Sequence, residues 1–278
     1  MAEEPSFSGE AIAAAWERHR TRLFEGQREL SEWIVRHLEP RPGQTILELT
    51  SGPGETGFLV AERIGPDGRL ISSDLNPGMV AAARRGAEAR GLTNVEFRVI
   101  DAANIDLPDA SVDGVLSRFG LMLVPEREAA FAECRRVVRD GGRLSYGVWG
   151  PFDRNPWLTQ LVGALLQHGH TPGGDPGGPG GVFSLATPEI NRHVLEEAGF
   201  TDVEVEEVPG AQHYVSVNEY WDVQTEIAGP MSGIVRSLDA DGQAAIKSTL
   251  TQMVEPYLVA GGGLELPSLA LGVSARAA

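Results

Sequence analysis

Residues Thr45-Ile46-Leu47-Glu48-Leu49 form a short apolar run interrupted by one acid, and they lead directly into Thr50-Ser51-Gly52-Pro53-Gly54-Glu55-Thr56-Gly57. A run of this length closed by glycines reads as a buried strand entering a tight turn. Phe58, Leu59, Ala61, Glu62 and Ile64 then carry a helical pattern that stops at Gly65-Pro66-Asp67-Gly68. Strand, glycine turn and helix in that order constrain the chain more than any other feature. Glycines let the backbone approach a ligand closely, and the helix start offers unpaired amides to a polar or anionic group.

Gly52 to Gly57 also fits G-x-G-x-x-G, the dinucleotide fingerprint, which is a weak signal alone. Its context differs, because Glu48 lies four residues ahead of the first glycine, where a pyrophosphate would be repelled and a cationic ligand attracted. A second strand, Arg69-Leu70-Ile71-Ser72-Ser73-Asp74, ends in an acid suited to a ribose diol. A third, Val95-Glu96-Phe97-Arg98-Val99-Ile100, is followed by Asp101. Glu48, Asp74 and Asp101 are therefore expected together at the carboxyl edge of one sheet, where open α/β sheets bind ligands. Taken singly, Asp74 and Asp101 are equally good turn or helix caps.

The stretch 45–149 resembles the class I S-adenosylmethionine-dependent methyltransferases, in the branch typified by ubiquinone-biosynthesis methyltransferases. The resemblance continues through Asp113-Gly114-Val115-Leu116-Ser117-Arg118-Phe119 as a fourth strand, a helix, a turn at Asp140-Gly141-Gly142, and Arg143-Leu144-Ser145-Tyr146-Gly147-Val148-Trp149 as a fifth. It implies a Rossmann-like three-layer α/β sandwich, whose mostly parallel seven-stranded sheet has one antiparallel strand and carries helical cap insertions. It also implies that Glu48, Gly52 and Gly54 wrap the methionine part of S-adenosylmethionine and that Asp74 holds the ribose hydroxyls. Leu75 and Met79 would flank the adenine, Asp101 and Ala102 would meet its edge, and Ser117, Arg118 and Phe119 would lie beside the amino acid part. Thr50 stands where the family has a glycine, and its side chain is expected to crowd or hydrogen-bond the ligand.

The rest of the chain reads as a surround for that core. Residues 11–38 have helical spacing with a break at Gly26, and 155–167 and 188–198 are further helices. The Gly- and Pro-rich segment 171–181 holds no regular structure. A sixth strand is expected over 203–208, helices over 218–238 and 240–259, and a seventh strand over 264–275. One methyltransferase domain, 1–278, then comprises a helical lid (1–40), a cofactor-binding core (41–150) and cap insertions at 151–185 and 214–259.

The caps are mostly apolar or aromatic, which suits a small, largely apolar or aromatic acceptor. Trp16, Met122, Trp149, Trp157 and Tyr220 are its expected neighbours, and Trp16 either covers the sulfonium by a cation-π contact of about 1 kcal/mol or packs in the core. O- or C-methylation of such an acceptor calls for a base only where a proton must leave, and His19, His168 and His170 are the histidines placed to reach the site. No Cys or His spacing suggests a metal. The single Cys134 lies at helical spacing with Phe131 and Val138, as a small core residue does.

A formal net charge of -16 without a Lys/Arg cluster disfavours nucleic acid and anionic membranes as partners, leaving a small-molecule substrate and a monomer or homodimer. The first residues lack a basic region and an apolar run, so the expected location is cytoplasmic. Two other readings stay open: an enzyme of the same fold that uses bound S-adenosylmethionine for a reaction such as cyclisation, and an NAD(P)-dependent oxidoreductase resting on the literal glycine match.

Overall fold

In the computed structural model, which describes residues 9–278, two helices precede a core whose first three strands alternate with helices. They run α1 (Gly9–Glu25), α2 (Arg28–Leu38), β1 (Thr45–Leu49), α3 (Glu55–Ile64), β2 (Arg69–Asp74), α4 (Pro77–Ala89), β3 (Val95–Val99), β4 (Val112–Arg118), α5 (Arg127–Val137) and β5 (Val138–Trp149). Beyond these come α6 (Pro156–Gln167), α7 (Pro188–Glu197), β6 (Phe200–Tyr214), α8 (Val217–Ile227), α9 (Pro230–Ser237), α10 (Ala240–Met253) and β7 (Leu264–Ala277). The strands form one seven-stranded sheet in the order β3-β2-β1-β4-β5-β7-β6. The pairs β1–β2, β1–β4, β2–β3 and β4–β5 are parallel, and β7 inserts antiparallel between β5 and β6. This is the Rossmann-like, mostly parallel sheet with one antiparallel strand that the motif series implies.

Burial explains why the central strands are so apolar. Ile46, Leu47 and Leu49 of β1, Leu70 and Ile71 of β2, and Val115 and Leu116 of β4 are all at most 1% exposed, as expected of parallel strands covered on both faces. On one face α2 lays Leu30, Trp33, Ile34, Val35 and Leu38 against the sheet, each at most 4% exposed. Full burial of each such side chain contributes roughly 1.5–3 kcal/mol. The helix lies close because Gly147 and Gly272 leave room: a Cβ there would stand 2.6 Å from Leu30 and 2.5 Å from Trp33. Cys134 is wholly buried in α5, and burial pushes its thiol up to about 12, so it serves as a core residue.

Several element boundaries differ from the sequence expectation. The expected break at Gly26 separates α1 from α2. The turn expected at Asp140-Gly141-Gly142 lies inside β5, which starts at Val138 and absorbs the irregularity as a register shift opposite Val112 and Gly114. The sixth strand continues through Pro209-Gly210 to Tyr214. Proline is tolerated because β6 is an edge strand paired only with β7, so no ladder bond is lost on its outer side. The helix expected over 218–238 is divided at Gly229, whose φ is 57°, and Pro230 opens α9. The helix expected over 240–259 ends at Met253, just before Pro256. Among the described residues no helix is long and apolar enough to cross a membrane.

Candidate functional site

The carboxyl ends of β1, β2 and β4 meet at the glycine turn, and their polar residues are bonded to one another. Ser51 N–H donates to Ser73 O at 2.8 Å, and Ser73 Oγ–H donates to Glu48 O at 2.7 Å. Asp74 receives Gly52 N–H on Oδ2 and Asn76 N–H on Oδ1, each at 2.9 Å. One acid thus fixes the turn after β1 and the start of the loop after β2, while each carboxylate oxygen keeps a further lone pair. Burial raises the Asp74 pKa, against the two amides that favour its charged form. Gly52 has a φ of 52°, and a Cβ built on it would meet nothing within 4 Å, so the turn presents bare backbone to open space.

Glu48 is placed differently from Asp74. It is 2% exposed, and both oxygens are taken: Oε1 accepts Gly57 N–H at 2.8 Å and Oε2 accepts the Ser72 hydroxyl at 2.9 Å. The carboxylate therefore caps the first turn of α3 from beneath. Gly57 is required there, since a Cβ would lie 2.1 Å from Glu48 Oε2. Burial pushes the Glu48 pKa up to about 8, opposed by Ser72, by the Gly57 amide and by the Arg118 guanidinium. Arg118 is lowered to about 10 by its own burial, against Glu48 and Glu55. Its guanidinium lies 5.9 Å from the Phe24 ring and 5.8 Å from that of Phe119, and among the described residues it has no hydrogen-bond or ion-pair partner.

Thr50 has a φ of 54°, a conformation costly for a β-branched residue. Its hydroxyl bonds to Leu49 O and lies 2.7 Å from Ser117 Oγ, and its side chain fills the space in front of Gly120, where a Cβ would stand 1.8 Å from Thr50 Oγ1. Phe119, beside it, also has a positive φ of 60°. Of the five non-glycine residues with positive φ among the described residues, these two sit in neighbouring loops at this edge of the sheet. At the far side, Met79 is 8% and Ala102 5% exposed, Leu75 is 63% exposed, and Asp101 caps its own turn through Ala103 N–H at 2.9 Å.

An aromatic series leads from β4 toward the caps. Phe119 stacks on Trp149 with centroids 3.7 Å apart, and Trp149 meets Trp157 at 5.1 Å. Tyr220 donates its hydroxyl to Trp157 O at 2.9 Å. Met122 is buried nearby in chain, where its carbonyl accepts the Ser184 hydroxyl at 2.7 Å. Trp16 is half-buried against the core on α1, one helical turn before Arg20. Arg20 reaches across Gly86 of α4 to the 5%-exposed Glu55 at the start of α3, and donates to Pro53 O in the turn at 3.5 Å. Arg90 pairs with the other Glu55 oxygen.

The histidines are not gathered at this edge. His19 bonds Glu226 of α8 at 2.9 Å. His168 follows α6 and bonds Thr249 of α10 at 2.7 Å, about 16 Å along the helix from Trp157, with His170 just beyond. Sequence reasoning missed Ser72 and Ser73, although two adjacent hydroxyls in an otherwise apolar strand were a visible signal. It also missed the Arg20–Glu55 latch, for which spacing gave none. Among the described residues no group of three or more His, Cys, Asp or Glu is arranged to hold a metal ion.

Comparison with known proteins bears on this geometry. Residues 46–142 match the methyltransferase domain family. The chain is 31% identical over 189 residues to the arsenite methyltransferase of Halobacterium salinarum, covering 67% of this chain and 44% of that protein. It is 33% identical over 135 residues to the ubiquinone/menaquinone biosynthesis C-methyltransferase UbiE of Cupriavidus taiwanensis, covering 44% of this chain and 55% of that protein. The chain thus spans about half the length of these curated relatives. The crystal structure of the Bacillus subtilis YcgJ protein shares the fold, with a TM-score of 0.61 at 16% identity, over 90% of this chain and 98% of that one.

Proposed function

We propose that the chain is a class I S-adenosylmethionine-dependent methyltransferase of the ubiquinone-biosynthesis-like branch, and that it moves a methyl group from S-adenosylmethionine to oxygen or carbon of a small, largely apolar or aromatic acceptor. The observation that carries this reading is Asp74, which ties down Gly52 while keeping acceptor capacity for two ribose hydroxyls beside a bare glycine turn. The residues present fit the cofactor: the open space before Gly52 admits a ligand, and the Thr50 side chain is taken up by Ser117 and Gly120.

On this reading Asp74 orients the ribose, Leu75 and Met79 flank the adenine, and Asp101 and Ala102 border it. Arg118, free of ion pairs among the described residues, is the cation available to the methionyl carboxylate. Glu48 acts at one remove, since its carboxyl group is bonded to Gly57 and Ser72 and fixes the turn. When bound, the sulfonium supplies an activated methyl group. The protein's own contribution is alignment and exclusion of water, with Phe119, Trp149 and Trp157 forming a dry wall beside the turn. Since His19 and His168 are bonded elsewhere, the reading assigns no histidine base, which favours acceptors that lose their proton readily. Residues 9–40 act as the lid and those of 151–185 and 214–259 as the cap, all within one domain; the first eight residues of the expected lid lie outside the described ones.

The test is transfer of label from S-adenosylmethionine, carrying a tritiated methyl group, to a panel of phenols and enols. Label in an O- or C-methyl product is expected. Cofactor turnover that leaves the methyl on the cofactor would select a different reaction on the same fold.

A further inference from the structure

Two hydroxyls in series join the loops that follow β1 and β4. Thr50 Oγ1–H donates to Leu49 O at 2.5 Å, and Ser117 Oγ lies 2.7 Å from Thr50 Oγ1. A hydroxyl carries one proton, so with that of Thr50 committed to Leu49 O, Ser117 is the donor of the second bond. Ser117 is wholly buried, and among the described residues Thr50 is the one partner of its hydroxyl. Thr50 also fills the space before Gly120, where a Cβ would stand 1.8 Å from its Oγ1. One side chain thus grips both ends of the loop 117–120, and Arg118 and Phe119 lie between. Phe119 has a φ of 60°, donates its N–H to Gly147 O at 2.8 Å and stacks on Trp149. Arg118 has no polar partner among the described residues, so its aim is set by the loop backbone and by the Phe24 and Phe119 rings, 5.9 and 5.8 Å away. Thr50 itself has a φ of 54°. Glycine would adopt that conformation at no steric cost, so what threonine adds at this position is its side chain.

We infer that Thr50 is a positioning residue: through Ser117 and Gly120 it holds the loop 117–120 in the conformation that turns Arg118 toward the amino acid end of the cofactor. The inference rests on the methyltransferase reading, in which Arg118 meets the methionyl carboxylate. The side chain expected to crowd or hydrogen-bond the ligand acts instead on the neighbouring loop, because its hydroxyl is turned to Leu49 O and Ser117. Removing that hydroxyl leaves the buried Ser117 donor without an acceptor, a loss that the loop repairs only by moving. Pairing of a guanidinium with a carboxylate is directional, so a small shift of the loop degrades it. Asp74 is fixed separately, by Gly52 and Asn76, and its hold on the ribose does not depend on Thr50.

The test titrates the full chain with S-adenosylhomocysteine, which carries the amino acid part, and with 5′-methylthioadenosine, which lacks it. Thr50→Val keeps the shape and removes the hydroxyl. It should weaken S-adenosylhomocysteine roughly fivefold or more, the size of one lost hydrogen bond, and leave methylthioadenosine within about twofold, which also shows that the variant folds. Thr50→Ser restores the hydroxyl and should bind both ligands as the wild type does. Arg118→Met gives an independent readout: adding Thr50→Val to it should cost little further affinity for S-adenosylhomocysteine, because the threonine acts through the arginine. Equal weakening of both ligands in Thr50→Val, unmoved S-adenosylhomocysteine affinity, no rescue by Thr50→Ser, or additive losses with Arg118→Met overturns the inference and leaves the methyltransferase reading standing. Should the wild type bind S-adenosylhomocysteine and not methylthioadenosine, the rescue and the double-mutant cycle decide. Failure of the wild type to bind S-adenosylhomocysteine would instead remove the methyltransferase reading, and the inference with it.

Discussion

Glu48 holds a carboxyl group in a place where ionisation is costly, and this makes stability depend on pH. Its ordinary value is 4.5, and burial pushes it up to about 8. Between those values the unfolded chain has released a proton that the folded chain retains, so this group's contribution falls as pH rises from about 5 to about 8. Glu48→Gln removes that slope. Urea midpoints should show the variant gaining on the wild type with rising pH, with the gap smallest near pH 5; a gap independent of pH would contradict the assignment. Thr50 and Gly120 make a second prediction at this scale. Gly120→Ala places a Cβ 1.8 Å from Thr50 Oγ1 and should cost about 1–3 kcal/mol by overpacking. Thr50→Gly in the same chain should recover most of that loss, since it removes the clash and the positive-φ strain together. Additive effects in a double-mutant cycle would mean that the two residues do not share that space.

Among the elements, α1 is tied to the glycine turn by one acid, beside its ion pairs to α4 through Glu17–Arg85 and to α8 through Arg18–Glu226 and Arg22–Glu219. Glu55 opens α3, where a negative charge also complements the helix dipole, and it takes Arg20 from α1 and Arg90 from the end of α4. Glu55→Gln leaves two guanidiniums short of a counter-charge. The expected cost is roughly 3 kcal/mol, the lower end for breaking a buried pair, because both arginines keep some contact with water. Amides of α1 should then exchange with solvent much faster while those of β1 hold their protection. Equal acceleration in α1 and β1 would show that the acid supports the whole fold and not the latch. The latch illustrates what the sequence did not disclose. Arg20, Glu55 and Arg90 come from three different helices, and no periodicity connects them. The Thr45 to Gly57 strand and turn was legible because its signal is local: apolar burial on both faces, then glycines where the backbone must turn.

At the scale of the whole molecule, the strand order 3-2-1-4-5-7-6 brings the ends of β1, β2 and β4 together, so acids and hydroxyls scattered over residues 48–117 become one site. The sheet and its antiparallel strand were readable from the ordered motifs. Element ends were less so, because tertiary context decided them: an edge position let β6 run through Pro209, and pairing of Val138 and Arg143 with β4 on either side left the Asp140-Gly141-Gly142 turn as an unpaired interruption inside β5. The caps were readable only as apolar content, since the contacts that run from Phe119 through Trp149 to Trp157 join residues far apart in the chain. The central claim is that the glycine turn and Asp74 hold S-adenosylmethionine and not a dinucleotide. Its most direct test is calorimetric titration of the wild type and of Asp74→Ala with S-adenosylhomocysteine and with NAD. The wild type should bind S-adenosylhomocysteine and leave NAD unbound, and the variant should lose about 1–3 kcal/mol of that affinity with the loss of a charged acceptor. Binding of NAD, or S-adenosylhomocysteine affinity untouched in a folded variant, would contradict the account and leave Asp74 as a cap of its turn.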